Sequence, residues 1–88
     1  MRIEVCRTGG FAGIRRTWCV QLDRVDDPDE LERLVDECDW ANPPAPTPEP
    51  DRFSYTLTAG DHTATLSERA LHGPWRELVD RVVSLDEG

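Results

Sequence analysis

The sequence predicts an α+β fold: a four-stranded antiparallel sheet with two helices packed on one face, in the order β-β-α-β-β-α. Three observations predict it. Two pairs of segments alternate apolar and polar residues, each pair encloses a glycine-containing turn, and a proline-marked helix start follows each pair. Neither half of the 88-residue chain is long enough to fold well alone, so residues 1–88 are expected to form one domain.

Residues 2–7 and 14–22 form the first predicted hairpin, because both segments alternate in the period of a strand. Their connection, from Thr8 to Gly13, is longer than the two-residue turns that hairpins prefer. We expect a register that places both apolar sets on the same face of the sheet. This register pairs Met1 with Val20, Ile3 with Trp18, and Val5 with Arg16.

The first helix is predicted to begin after Asp27 and to run to about Asp39 or Trp40. Asp27 can cap the helix, Pro28 suits the first helical position, and the following acids suit the positive end of the helix dipole. The apolar residues at helical spacing are Leu31, Leu34, Val35 and Cys38. Residues 41–50 contain five prolines in ANPPAPTPEP and are expected to form an extended connector within the domain.

The second predicted hairpin turns at Gly60 and Asp61, between two further alternating segments. Its expected register pairs Leu57 with Ala64 and Tyr55 with Leu66. His72-Gly73-Pro74 then opens the second helix. The residues predicted to share its apolar face are Leu71, Trp75, Leu78, Val79 and Val82, with Leu85 near its end. The alternation does not predict the order of the strands in the sheet.

Composition and charge exclude several classes of partner. All 10 basic residues are arginine, against 18 acids, and the formal net charge of −8 makes nucleic acid a poor partner. No apolar run approaches the roughly 20 residues that would span a bilayer, and the start of the chain has no apolar signal core. We therefore expect a cytoplasmic protein with no membrane partner. The charge is uneven, since residues 1–22 are basic and residues 23–39 strongly acidic.

The cysteines and histidines predict neither catalysis nor a metal site. Cys6, Cys19 and Cys38 are widely spaced and no CxxC pair occurs, so reduced, partly buried thiols are expected. The expected register places Cys6 opposite Arg15 and Cys19 near Arg2, which is too far apart for a disulfide between the two. His62 and His72 fall in a turn and before a helix, where solvated or capping roles are expected. No catalytic residue, metal ligand or cofactor is assigned, and the chain is not expected to be an enzyme.

The segment TGGFAGIRR, residues 8–16, is the candidate functional feature. Its glycines lead into a strand and not into a helix, which argues against a phosphate-binding loop. They could simply allow positive φ angles while Phe11 folds back over the sheet edge. Alternatively, the segment is an exposed recognition loop in which Phe11 anchors in an apolar pocket and Arg15 and Arg16 supply flanking charge.

The opening MRIEVCRTGGFAGIRR closely resembles the start of emfourin-like proteins, bacterial inhibitors of thermolysin-like metallopeptidases of the M4 family, named after an inhibitor of protealysin. The resemblance extends over nearly the whole chain, through the proline-rich middle, Phe53 with Tyr55, and Gly73-Pro74 before the last helix. Thr8 stands where serine is common in the family and keeps the hydroxyl group.

This resemblance implies an inhibitor of an M4 peptidase, acting inside the cell and possibly encoded beside its target. The residues that we expect to bind the peptidase are Thr8, Gly9, Gly10, Phe11, Ala12, Gly13, Arg15 and Arg16. An alternative function is a non-inhibitory interaction module or a folding helper for a protease, which would form a complex without blocking the active site. Trp40 and the proline segment are expected either to form a second contact patch or to cover the sheet.

Overall fold

The computed structural model describes residues 1–9, 15–44 and 53–87. It confirms the α+β class and the order β-β-α-β-β-α. The strands are β1 (Arg2–Gly9), β2 (Arg16–Gln21), β3 (Phe53–Ala59) and β4 (His62–Ser67), and the helices are α1 (Pro28–Glu37) and α2 (Pro74–Glu87). Short 3-10 turns cover Leu22–Arg24 and Glu68–Ala70.

The strands are ordered β2-β1-β3-β4, so the first strand lies in the middle of the sheet. It pairs antiparallel with β2 on one side and with β3 on the other. Ile3 and Val5 of β1 are fully buried, as is Leu57 of β3. The inward residues of the sheet share one apolar core with both helices. The two helices therefore cover the same face.

The predicted register of the first hairpin is wrong by two residues. Ile3 pairs with Val20 and Val5 with Trp18, and Arg16 lies opposite Arg7. A two-residue slip leaves every side chain on its original face, so the alternation cannot distinguish the two registers. The observed register places apolar residues opposite each other, where the predicted one set Val5 against an arginine.

The second hairpin has the predicted register, with Leu57 opposite Ala64 and Tyr55 opposite Leu66. Gly60, at a φ of 60°, adopts the left-handed conformation that a tight turn requires. Because this turn is short, it leaves the pairing little freedom to slip.

Helix α1 begins as predicted and ends earlier than predicted. The Asp27 carboxylate accepts a hydrogen bond from the backbone N–H of Glu30, at 3.4 Å. The helix ends at Glu37 because Cys38 is extended and the last turn carries acids at the negative end of the dipole. Trp40 folds back and its indole N–H donates to the carbonyl oxygen of Val35, at 2.8 Å, which also accepts the backbone N–H of Cys38 at 3.3 Å.

Helix α2 begins at Pro74 after Gly73, whose φ is 62°. Its buried residues are Trp75, Leu78, Val79 and Val82, whereas Leu85 is exposed. Neither helix in the described part of the chain has the length and apolar character needed to cross a membrane. Residues 41–44 of the predicted connector form neither helix nor strand, and residues 45–50 lie outside the described residues.

Candidate functional site

The candidate loop connects β1 to β2 at one end of the sheet. Thr8 and Gly9 end β1, and Arg16 begins β2 directly after Arg15. Gly9 has a φ of 97°, a conformation that side chains rarely allow, so glycine is required where the chain leaves the strand. The predicted binding residues Gly10, Phe11, Ala12 and Gly13 lie outside the described residues.

The loop-flanking residue Arg7 is held between two aromatic rings. Its guanidinium carbon lies 4.3 Å from the centre of the Phe53 ring and 5.3 Å from the centre of the Trp18 ring. Such cation–π contacts strengthen when the cation is partly desolvated, and Arg7 is half-buried. The rings therefore fix a positive charge beside the loop before any partner binds.

Arg16 connects the start of β2 to the end of α2. One of its terminal nitrogens lies 2.7 Å from a carboxylate oxygen of Glu87, and its guanidinium carbon lies 5.2 Å from the Trp18 ring centre. Both members of the ion pair are well exposed, so the pair adds little stability. A partner carboxylate could therefore replace Glu87 at a low energetic cost.

Arg15 lies on the opposite face of the sheet and covers Cys6. Its Nε donates to the Sγ of Cys6, at 3.2 Å. The equivalent contact from the Nε of Arg2 to the Sγ of Cys19 measures 2.8 Å, and this hydrogen bond is the largest cause that raises the pKa of Arg2. The predicted proximity of each cysteine to its arginine is confirmed, although the contacts are diagonal in the observed register. All three cysteines are free.

The structure also locates the two histidines and Trp40, which the sequence analysis had considered. His62 is exposed and stacks on Trp40, with 5.3 Å between ring centres, and His72 is exposed. Trp40 also meets Trp75 edge-on at 5.0 Å and packs, partly buried, against the core. Among residues 1–9, 15–44 and 53–87, no three His, Cys, Asp or Glu side chains are grouped to hold a metal ion.

The sequence assignment of the site did not include Arg7, Trp18, Phe53 and Tyr55, which surround the base of the loop. Arg7 could have been found from its position. It follows Ile3 and Val5 at the two-residue spacing of the inward face, where a charged side chain is unusual. Phe53 could not, because its place beside β1 depends on a pairing between distant segments.

The fold is a small α+β domain in which arginines on both faces of the sheet flank the glycine-rich connection between β1 and β2. Residues 5–83 match the family model described as Emfourin, so the chain belongs to the emfourin family, a family of protease inhibitors. Comparison with curated proteins and with solved structures found no match to this chain.

Proposed function

We propose that this protein inhibits thermolysin-like M4 zinc metallopeptidases by placing the loop of residues 8–13 in the active-site cleft. Membership in a family of protease inhibitors gives the general function. The observation that supports the use of this loop is that strand pairing fixes the residues on either side of it. Both of its ends are fixed, because Arg7 pairs with Arg16 on one side and Gly9 pairs with Phe53 on the other.

A loop whose flanking residues are fixed in a sheet can bind more tightly than a free loop. Each segment that is ordered before association loses less conformational entropy when the complex forms. The pairing of Gly9 with β3 extends this order to the last residue before the loop sequence Gly10-Phe11-Ala12. Thermolysin-like enzymes cleave before large apolar residues, so Phe11 would occupy the apolar specificity pocket as a substrate residue does.

Inhibition further requires that the bound loop be cleaved slowly. An enzyme accelerates hydrolysis only when the peptide can reach the geometry of the transition state. A loop held at both ends resists that distortion and keeps a cleaved product in place. The loop would thus bind as a substrate does and leave the site only slowly.

Charge would assist the approach of the two proteins. Arg7, Arg15 and Arg16 surround the base of the loop, while the acids of α1 lie on a different part of the chain. This arrangement would orient the basic end toward an acidic cleft. The proposed partner is a cytoplasmic M4 peptidase, possibly encoded beside the inhibitor.

The test is a titration of thermolysin-like peptidases, on a quenched fluorescent peptide, with the wild-type protein and with Phe11→Ala. We expect stoichiometric loss of peptidase activity with the wild type. For Phe11→Ala we expect inhibition at least 100-fold weaker, since truncating a central aromatic anchor removes several kcal/mol of binding energy. Leu85→Ala is the matched control, because it truncates an apolar side chain that is already 40% exposed on α2.

Two results would contradict the proposal. Equal inhibition by the wild type and Phe11→Ala would exclude Phe11 as the anchor. Formation of a complex that leaves peptidase activity intact would favour the non-inhibitory interaction module instead.

A further inference from the structure

A cleft of about 310 Å³ lies beside the loop, between the sheet and α2. Arg7, Trp18 and Tyr55 line it from the sheet, and Val79 and Val83 line it from the helix. The volume is at the lower limit of sites that hold small molecules, which suits a single side chain better than a cofactor. The walls combine aromatic rings, aliphatic groups and a guanidinium.

Two residues that line this cleft carry buried hydrogen-bond donors with no acceptor among the described residues. They are the Nε of Arg7 and the indole Nε1 of Trp18. Trp18 is only 5% exposed, so solvent does not compensate for the missing partner. An unpaired buried donor costs folding free energy, and an acceptor that entered the cleft could relieve that cost after small side-chain rotations.

Arg7 is also unlike the other arginines of the cleft. Arg16 pairs with Glu87 at 2.7 Å and Arg76 pairs with Asp80 at 3.1 Å. Arg7 has no carboxylate partner among the described residues, although the chain carries a net charge of −8. Among the described residues no carboxylate neutralises this guanidinium, so its charge is available to a carboxylate that enters the cleft.

The surroundings define the chemistry of that group. A planar guanidinium pairs best with a carboxylate, through two parallel hydrogen bonds. The valines and rings would contact methylene groups, so a carboxylate on a short aliphatic stem fits the walls. The acids Asp80 and Glu87 also line the cleft, and they would repel a doubly charged phosphate more strongly than a single carboxylate.

The geometry points to a site for the side chain of a glutamate on the surface of the partner protein, with Arg7 as its main contact. Assigning that glutamate to a peptidase rests on the function proposed above. The carboxylate site itself rests only on Arg7, Trp18 and the cleft walls.

The test uses the full chain alone, followed by ¹H–¹⁵N NMR. The probe is acetyl-glutamyl-amide, which carries a single carboxylate on its side chain, and its uncharged isostere acetyl-glutaminyl-amide is the matched control. We expect saturable shifts of the Trp18 indole N–H and the Arg7 Nε–H, with Trp40 and Trp75 as internal references. The uncharged isostere should bind at least about tenfold more weakly, because it loses the charge-assisted hydrogen bonds.

Arg7→Gln should abolish the saturable shift, whereas Arg33→Gln, which makes the same charge change on α1, should keep it. Should Arg7→Gln fail to fold, Arg7→Lys serves instead, and it should bind the probe several-fold more weakly because it lacks the planar fork. Equal shifts with both probes, saturable shifts that survive in Arg7→Gln, or binding by Arg7→Lys as tight as that of the wild type would overturn the proposal. This result is independent of whether any peptidase is inhibited.

The partner's contribution is tested with a peptidase that the wild type inhibits. Arg7→Gln should weaken inhibition about tenfold and Arg33→Gln should leave it unchanged. Unchanged inhibition by Arg7→Gln, despite a positive titration, would overturn the assignment of the glutamate to that peptidase and leave the loop mechanism standing.

Discussion

The two ends of the sheet differ in whether a tryptophan indole N–H has a hydrogen-bond acceptor. At the end that carries Gly60 and His62, the indole N–H of Trp40 donates to the carbonyl oxygen of Val35 and the ring packs on its neighbours. At the loop end, the indole N–H of Trp18 is buried and has no acceptor among the described residues. The first arrangement stabilises the fold, whereas the second costs stability.

This difference separates structural from binding surfaces. Buried donors in native proteins normally have partners, and a role in binding is one reason for a donor to lack one. At the loop end, the unsatisfied donors of Arg7 and Trp18 coincide with a glycine-rich loop, an exposed ion pair and a cleft. We therefore expect substitutions at the Trp40 end to change mainly stability, and substitutions at the loop end to change mainly binding.

The largest expected effect is on stability. Trp75→Ala should lower the free energy of unfolding by about 3–5 kcal/mol, because it leaves a cavity beneath Trp40 at a residue only 6% exposed. Urea unfolding measures the loss, and Leu85→Ala should change it by less than about 0.5 kcal/mol. In the fraction that remains folded, inhibition by Trp75→Ala should match the wild type. A selective loss of inhibition would show that the two ends are not separable.

The second prediction concerns the thiol at the end of α1. The pKa of Cys38 is raised from 9.0 to about 11, mainly by burial and to a smaller extent by the negative charge of Glu37. Above pH 9 the unfolded chain releases this proton before the folded chain does, so stability should fall as pH rises from 9 to 11. We expect a loss of about 1–2 kcal/mol, less than the full shift would give because solvent near the helix end screens the charge.

Unfolding by urea at several pH values, compared between the wild type and Cys38→Ala, measures this contribution. The variant keeps Cys6 and Cys19, so the difference between the two curves isolates Cys38. Parallel curves from pH 8 to 11 would mean that the folded and unfolded chains bind this proton equally.

The third prediction concerns the tight hairpin turn at Gly60. Gly60→Ala should cost about 1–2 kcal/mol, because its φ of 60° strains any residue with a Cβ, whose nearest contact would be the Met1 sulfur at 3.4 Å. Asn tolerates this conformation better, so Gly60→Asn should cost clearly less. Thermal unfolding measures both variants. Equal losses would indicate that the contact with Met1 and not the backbone conformation sets the cost.

The connections of the two hairpins show how far the sequence could predict the structure. The tight turn at Gly60 allowed one register for Leu57 and Ala64, and this register was correct. The long connection after Thr8 allows two registers with identical faces, and the predicted register differs from the observed one by two residues. The position of Arg15 and Arg16 beside the loop was predictable from their place in the chain.

The partners of Arg7 were not predictable in this way. Phe53 reaches Arg7 only because β3 pairs with β1, and nothing in the local pattern predicts which strand becomes the neighbour of β1. The unsatisfied indole of Trp18 is likewise a property of the assembled core. Local spacing predicts elements and faces, whereas the chemistry of a site assembled from distant segments requires their packing.

The smallest expected effect on stability is that of the ion pair at the loop end. A double-mutant cycle with Arg16→Gln and Glu87→Gln should give a coupling energy of about 0–1 kcal/mol, because both side chains are about half exposed and solvent screens them.

Binding should respond to the same substitutions more strongly than stability does. Arg16→Gln should slow association with an inhibited peptidase severalfold at low salt, and the difference should shrink as ionic strength rises. Glu87→Gln should accelerate association under the same conditions, since it frees the arginine from its internal partner. Stopped-flow measurements at several salt concentrations test both signs, and association rates that do not depend on salt would exclude charge as the cause.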